Sequence, residues 1–386
     1  MTELGKPVLT ALMLLEQAGY PSYVVGGCLR DLLLGKSAQD YDLATPAAPW
    51  QTLSVFHGYT CFRQGEKFGT VGVLIDGEKL EITTFRSDIG YADNRHPDQV
   101  VFSDSIYEDL SRRDFTVNSI ACGLDGQMID PFGGEIDLKD KLLRATGDPA
   151  IRFNEDALRI LRLFRFAAQL GFNIEQYTFE SAVHYRKKLT AIPKERITAE
   201  FLRLLSYDCE KTLQLMSDRG VLEVIGIGKI ENATPIQTAP NDPILRLAEL
   251  IYLSESDSKI VCSAFKLSNI QKQLLNTFLS EFSSAPYQSK SAFKQRYGAL
   301  LPEQWKKLIQ AKMILGQDVG DISAYIDQIE QNNEPYLLSQ LALNGDDLSQ
   351  MGYEGREIGK ALKKCLAYVL EHPESNTKSK LTEFIK

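Results

Sequence analysis

Asp40 and Asp42, one residue apart in Asp40-Tyr41-Asp42, are of a type and spacing that could do chemistry. On an extended strand, residues i and i+2 project to the same face, so the two carboxylates would stand side by side. Such a pair suits a hard cation such as Mg2+, which takes oxygen ligands and completes its shell with water and phosphate oxygens. Two metals about 3.5–4 Å apart would activate an attacking hydroxyl and neutralise a leaving pyrophosphate. Asp-x-Asp also arises by chance on exposed strands. Upstream, Gly26-Gly27-Cys28-Leu29-Arg30-Asp31 lies between an apolar strand and a helix. Glycines let backbone approach a phosphate, a helix N-terminus presents free N–H groups, and Arg30 adds charge. Alone, a diglycine also reads as a plain strand-to-helix turn. Glu81, in Leu80-Glu81-Ile82-Thr83-Thr84, is a candidate third acid on a neighbouring strand, or an outward-facing polar residue.

A second constellation lies in Arg152–Phe166, RFNEDALRILRLFRF. Asp156, Arg159, Arg162 and Arg165 recur every three residues, a slowly turning stripe on one expected helix, beside the apolar Leu158, Leu161 and Phe164. A solvated charged face is the bland alternative. Three arginines without interspersed acids would repel one another, which favours a polyanion among them. Cytosine and adenine both present an amine donor next to a ring-nitrogen acceptor. A carboxylate accepts from the amine while a guanidinium donates to the ring nitrogen. Uracil and guanine reverse that order, leaving polar groups unpaired at a cost of roughly 1–3 kcal/mol each. Asp156 with Arg159 could therefore admit CTP and ATP and reject UTP and GTP.

The strand, Gly-Gly, Arg and Asp-x-Asp order resembles the signature of polymerase-β-like nucleotidyltransferases. The ordered set VVGGCLRDLLLG, DYDLAT, EITTFR, RRDFTVNSIA, DPFGG, EDALRILRLFRFAAQLGF and PKERITAE resembles class II tRNA nucleotidyltransferases, the CCA-adding enzymes, over about residues 20–205. The resemblance implies that Gly26, Gly27 and Arg30 hold the triphosphate and that Asp40 and Asp42 bind Mg2+. It implies nucleotide contacts for Arg113 and Asp114 at the ribose, supported by Asn118. Asp156 and Arg159 would read the base, with Arg162 and Arg165 extending the nucleotide site. Glu195 and Arg196 would brace the base-reading helix. The family also holds CC-adding and A-adding enzymes and bacterial poly(A) polymerases. CC-adding relatives have a shortened loop after EITTFR, whereas Arg86–Val100 is full length here, with Arg86, Asp93, Asn94 and Arg95 available. Full CCA addition to the tRNA 3′ end is the preferred reading, with A-addition or poly(A) synthesis as alternatives. A small-molecule nucleotidyltransferase would not need the arginine helix, and a non-catalytic RNA-binding protein would not need Asp40-x-Asp42.

The surrounding sequence predicts an α+β fold: a polymerase-β-like head with a small mixed sheet and helices, followed by an all-helical neck, body and tail. Tyr23–Val25 reads as a strand, Leu29–Leu34 as a helix closed by Gly35, and Asp40–Ala44 as a second strand. Thr45 before Pro46 reads as a helix start. Thr70–Ile75 and Lys79–Phe85 around Asp76-Gly77 read as a hairpin, and the polar stretch from Phe85 to Val100 as a mobile loop. Asn154 reads as the cap of a helix running to about Leu170 and stopped by Gly171. The expected division is a catalytic head (1–140), a base-recognising neck (141–206), and a tRNA-binding body (207–300) and tail (301–386).

The 386 residues exceed what one core usually holds, and 44% hydrophobic with 24% charged residues is ordinary globular composition. No apolar run approaches the ~20 residues of a membrane span, and the first residues read as an amphipathic helix, not a signal peptide. Six scattered cysteines without a Cys-x-x-Cys pair point away from disulfides and zinc and toward a reducing, cytoplasmic setting. No obligate protein partner is evident. The net charge of −8 does not suit a polyanion partner at first sight. Residues 141–206, however, carry twelve Lys or Arg against seven Asp or Glu, a local +5. A basic neck set among acidic surfaces fits the grasp of one short tRNA end.

Overall fold

The computed structural model of the chain describes residues 4–38, 40–89 and 99–386, with 88–89 and 99–100 described as backbone. Two compact units result: Met1–Lys229 with Ser263–Lys266, and Ile230–Cys262 with Leu267–Lys386.

The first unit opens with α1 (Lys6–Gln17), β1 (Tyr23–Val25), α2 (Gly26–Leu33), β2 (Tyr41–Thr45) and α3 (Pro49–Val55). It continues through β3 (Thr60–Phe62), β4 (Thr70–Ile75) and β5 (Glu78–Thr84), then β6 (Arg86–Ile89), β7 (Gln99–Phe102) and α4 (Ile106–Ser111). β8 (Ala121–Gly123) and β9 (Met128–Ile129) complete a seven-stranded sheet of order β3-β4-β5-β2-β1-β8-β9. The sheet is mixed: β2 runs parallel to β5, with Asp42 opposite Glu81, and antiparallel to β1. On β2, Tyr41 and Leu43 are buried while Asp42, on the opposite face, is exposed.

The β4–β5 hairpin turns at Asp76 and Gly77, both at positive φ (49° and 85°), as an Asp-Gly type I′ turn requires. Other local expectations need correction. α2 begins at Gly26 itself, three residues before Leu29. Thr45 is no helix cap; it continues β2 opposite Thr84, and its carbonyl accepts from Phe85 N at 2.7 Å. α3 starts instead at Pro49, where Gln51 Oε1 accepts from Ala48 N at 2.8 Å. The polar stretch after Phe85 is not all loop, because β6 and β7 pair antiparallel from Arg86↔Phe102 to Ile89↔Gln99. Asp93, Asn94 and Arg95 lie outside the described residues.

Beyond the sheet the chain forms α5 (Gly134–Lys139), β10 (Leu142–Leu143), α6 (Pro149–Glu155), α7 (Leu158–Leu170), β11 (Asn173–Ile174), α8 (Gln176–Tyr185) and α9 (Lys194–Leu204). The single helix expected from Asn154 to Leu170 is two. Asp148 caps α6 by accepting from Ala150 N, Asn154 sits inside it, and the chain breaks at Asp156 (φ −143°, ψ 101°). Gly171 ends α7 in the left-handed conformation, as expected. The second unit is entirely helical among its described elements. Its C-terminal helices close on the fully buried Leu348, Cys365, Val369 and Leu381.

Candidate active site

One cleft of about 740 Å3 in the first unit gathers most of the residues singled out in the sequence. Gly26, Gly27, Arg30, Asp40, Asp42, Arg113, Asp114, Asn118, Asp156, Arg159, Arg162 and Arg165 all line it. Glu81 does not.

The floor begins at the glycine turn. Gly26 has φ +76°, and a Cβ there would lie 3.0 Å from Arg113 Nη1 and 3.6 Å from Asp42 Oδ2. The positive φ is what favours glycine here; a Cβ would need only a small shift of the Arg113 side chain. Gly27 carries no such constraint, since its Cβ would only make ordinary contact with the Arg30 guanidinium. The first N–H groups of α2 open at this turn, an arrangement chemically suited to an anion.

Asp42 stands on β2, and Asp40 is exposed one step before the strand. Desolvation by the surrounding protein pushes the Asp42 carboxyl up to about 6; Arg113 opposes the rise, and Glu81 and Asp40 add to it. Glu81 is held by Lys79 Nζ at 2.9 Å, both side chains about half exposed, at 49% and 52%. No group of three carboxylates, cysteines or histidines among the described residues is placed to hold a metal ion. Two neighbouring carboxylates open to the cleft are nonetheless a donor set that a hard divalent cation fits, because it takes oxygen ligands and completes its shell with water and phosphate oxygens.

From Arg30 a chain of hydrogen bonds crosses the cleft. Arg30 Nη1 donates to Asn118 Oδ1 (2.8 Å), and Asn118 Nδ2 donates to Asp114 Oδ1 (3.0 Å). Arg162 pairs with Asp114 Oδ2 at 2.6 Å, and Arg165 with Glu200 Oε2 at 2.6 Å, Glu200 also facing Arg162 at 3.6 Å. Burial alone would raise the Asp114 carboxyl, but Arg162, Asn118 and Arg159 bring it down to about 2. Asp114 is thus a fixed anion at neutral pH.

The arginine spacing alone predicts unpaired cations, but the folded chain pairs them. Acids interleave with all three: Glu155 holds Arg159 at 2.6 Å, while Asp114 and Glu200 hold Arg162 and Arg165. Asp156 is not on the arginine helix either. It occupies the break before α7, where its Oδ1 accepts from Leu158 N at 3.0 Å. Arg196 of α9 holds it at 2.7 Å, so Arg196 grips the break before the arginine helix and not the helix itself. Glu195 takes no part in this; it is 64% exposed and faces Lys266, at 3.9 Å.

The sequence reading missed Asp109, Glu155 and Glu200 as pairing acids, and Phe166 and Arg112 on the cleft wall. Asp109, on α4, is buried and takes both Arg112 (2.6 Å, Oδ1) and Arg113 (2.9 Å, Oδ2). Asp109 and Glu155 stand three or four residues from their arginines, a spacing that could have flagged them.

A mixed sheet carrying a carboxylate pair beside a glycine-started helix, with an arginine-lined cleft, defines a polymerase-β-like nucleotidyltransferase head joined to a helical extension. Residues 22–144 match the Poly A polymerase head domain, and residues 171–226 match a domain described as the probable RNA and SrmB-binding site of polymerase A. The CCA-adding enzyme of Lactobacillus gasseri is 34% identical over 100% of this chain and 98% of its own. That of Lactobacillus johnsonii is 35% identical with the same coverage. The crystal structure of the Bacillus stearothermophilus CCA-adding enzyme in complex with CTP superposes with a TM-score of 0.82, at 28% identity, covering 99% of this chain and 97% of that one. The chain belongs to the CCA-adding enzymes, a family of tRNA nucleotidyltransferases.

Proposed function

We propose that this protein adds or repairs the 3′-terminal CCA of tRNA from CTP and ATP, releasing pyrophosphate, and that Asp156 and Arg159 select the base. The observation that carries this reading is the meeting, in one cleft, of Asp42, the glycine-started helix and the Asp156–Arg159 region. The N–H groups of α2 and Arg30 bind the triphosphate, while Arg113 and Asp114 contact the ribose. Asp156, oriented by Arg196, accepts from the exocyclic amine of cytosine or adenine, and Arg159, oriented by Glu155, donates to the ring nitrogen. Both side chains have capacity to spare, since a carboxylate offers about four lone-pair sites and a guanidinium five donors.

Asp40 and Asp42 would hold Mg2+, which supplies charge neutralisation at the phosphates and a more acidic attacking hydroxyl. The side chains contribute position and fixed charge: the tRNA 3′-hydroxyl is set in line with the α-phosphate, and no covalent enzyme intermediate is needed. Within this reading residues 1–140 perform the chemistry and 141–206 read the base. Residues 207–300 and 301–386 hold the tRNA, in the cytoplasm. The full-length stretch Arg86–Val100 favours complete CCA addition over addition of C alone.

The test is the double variant Asp40→Ala/Asp42→Ala. It is expected to lose Mg2+-dependent turnover and to lose Mn2+ binding followed by electron paramagnetic resonance, while tRNA binding stays near wild type. Persisting turnover would overturn the metal assignment.

A further inference from the structure

Among the described residues, Phe166 is the one aromatic ring on the wall of the cleft, and three guanidiniums converge on it. The central carbons of Arg165, Arg30 and Arg162 lie 3.7, 5.1 and 5.3 Å from its centroid. All three are within the ~6 Å over which a cation is attracted by a ring face. They come from different elements, Arg30 from α2 and the other two from α7, so the ring joins the glycine-turn side of the cleft to the arginine helix. Phe166 is 5% exposed, and its orientation is fixed by an edge contact with the fully buried Phe115, at 5.7 Å and 81°.

Each of these arginines is paired with a carboxylate: Asp31 faces Arg30 at 2.8 Å, Asp114 faces Arg162 and Glu200 faces Arg165, while the amide oxygen of Asn118 also accepts from Arg30. Five donors on each guanidinium exceed what those partners use. The paired carboxylates offset most of the repulsion among the three guanidiniums, and the negative ring face adds an attraction that draws all three to one point, which a leucine at 166 would not supply.

We propose that Phe166 is a positioning residue for the triphosphate: its ring holds Arg30, Arg162 and Arg165 in a preassembled fan whose spare donors meet the phosphate oxygens. The inference rests on the nucleotide-binding reading of this cleft and deepens it. The ring acts on the phosphates shared by all nucleoside triphosphates, so it sets affinity and leaves base choice to Asp156 and Arg159.

The test replaces Phe166 with mono-, di- and trifluorophenylalanine by site-specific incorporation, which weakens the ring's negative face stepwise while nearly preserving its shape. KM for CTP and for ATP is expected to rise together along the series, by roughly three- to thirty-fold at the end. kcat, the melting temperature and the discrimination against UTP should stay close to wild type. Calorimetric affinity for inorganic tripolyphosphate should fall in the same steps. Phe166→Leu should match the far end of the series if it folds. KM and tripolyphosphate affinity that ignore fluorination would overturn the proposal and leave Phe166 as packing alone. The tripolyphosphate arm reads the ring's role even if the wild-type protein transfers neither CMP nor AMP to tRNA, so the two readings fail separately.

Discussion

Arg196 grips both carboxylate oxygens of Asp156, with Nη1 3.2 Å from Oδ1 and Nη2 2.7 Å from Oδ2. The two residues are 40 positions apart, and the fork fixes the plane of a carboxylate that stands at a helix break and not on the helix itself. Base selection under the proposed function therefore depends on a residue that need not touch the nucleotide.

Arg196→Met should release that plane. Misplacing a reacting or reading group by an ångström can cost about a hundredfold, so kcat/KM for CTP and ATP is expected to fall by about that factor. UTP should be rejected less well. Incorporation assays with each of the four triphosphates measure both effects. Arg196→Lys should recover little, because a single ammonium cannot reproduce the two-point grip.

Asp109 is 1% exposed and carries two arginines, one on each oxygen. Asp109→Asn would remove the charge that Arg112 and Arg113 share, leaving two mostly buried cations with a neutral neighbour. Breaking a buried pair typically costs about 3–5 kcal/mol, and a loss of that order is expected in urea unfolding of the variant.

The same acid network sets the response to low pH. Burial opposes ionisation of Asp114, yet its partners hold it at about 2, below the ordinary 3.8, and Asp109 is also lowered against its burial by Arg113 and Arg112. Between about pH 4 and pH 2 the unfolded chain therefore binds more protons than the folded one. The stability these groups contribute is present above pH 4 and lost as the pH falls through the folded value. Melting temperatures recorded across that window should drop, and drop less steeply for Asp114→Asn.

Glu249, in the helix Pro243–Leu253, behaves in the opposite sense. It is fully buried, and neither carboxylate oxygen has a hydrogen-bond partner among the described residues. Burial pushes its carboxyl up to about 8, with Arg246 opposing. The folded chain then binds the extra proton between about pH 4.5 and 8, so stability falls as pH rises through that interval. Glu249→Gln should flatten the decline. It should also leave the protein more stable at pH 8.5 by a few kcal/mol, because each tenfold gain in proton affinity on folding corresponds to ~1.4 kcal/mol. Urea midpoints at pH 6 and pH 8.5 for both proteins measure it.

Features with local causes were legible in the sequence. The hairpin at Asp76-Gly77 and the stop at Gly171 each depend on a residue's own backbone preference. Asn154 misled because the stronger start, Asp148 before Pro149, lies one turn and a half upstream. The break at Asp156 contains neither glycine nor proline, so nothing in the local sequence marks it. The acids that neutralise Arg162 and Arg165 lie 48 and 35 positions away, and only the folded chain brings them in. The arginine stripe was visible, while its partners were not. The strand Arg86–Ile89 was hidden for a similar reason: its residues are mostly polar, and it is pairing with Gln99–Phe102 that makes it a strand.

Under the proposed function, one cleft selects C and A and adds them in order to tRNA. The most direct measurement incubates the purified protein with tRNA lacking its three terminal nucleotides and each labelled triphosphate, alone and combined, then sequences the product 3′ ends. Two residues are expected with CTP alone, one further residue when ATP is supplied as well, and negligible incorporation of UTP or GTP. Failure to incorporate CTP would contradict this function and leave an A-adding or poly(A)-synthesising activity in its place.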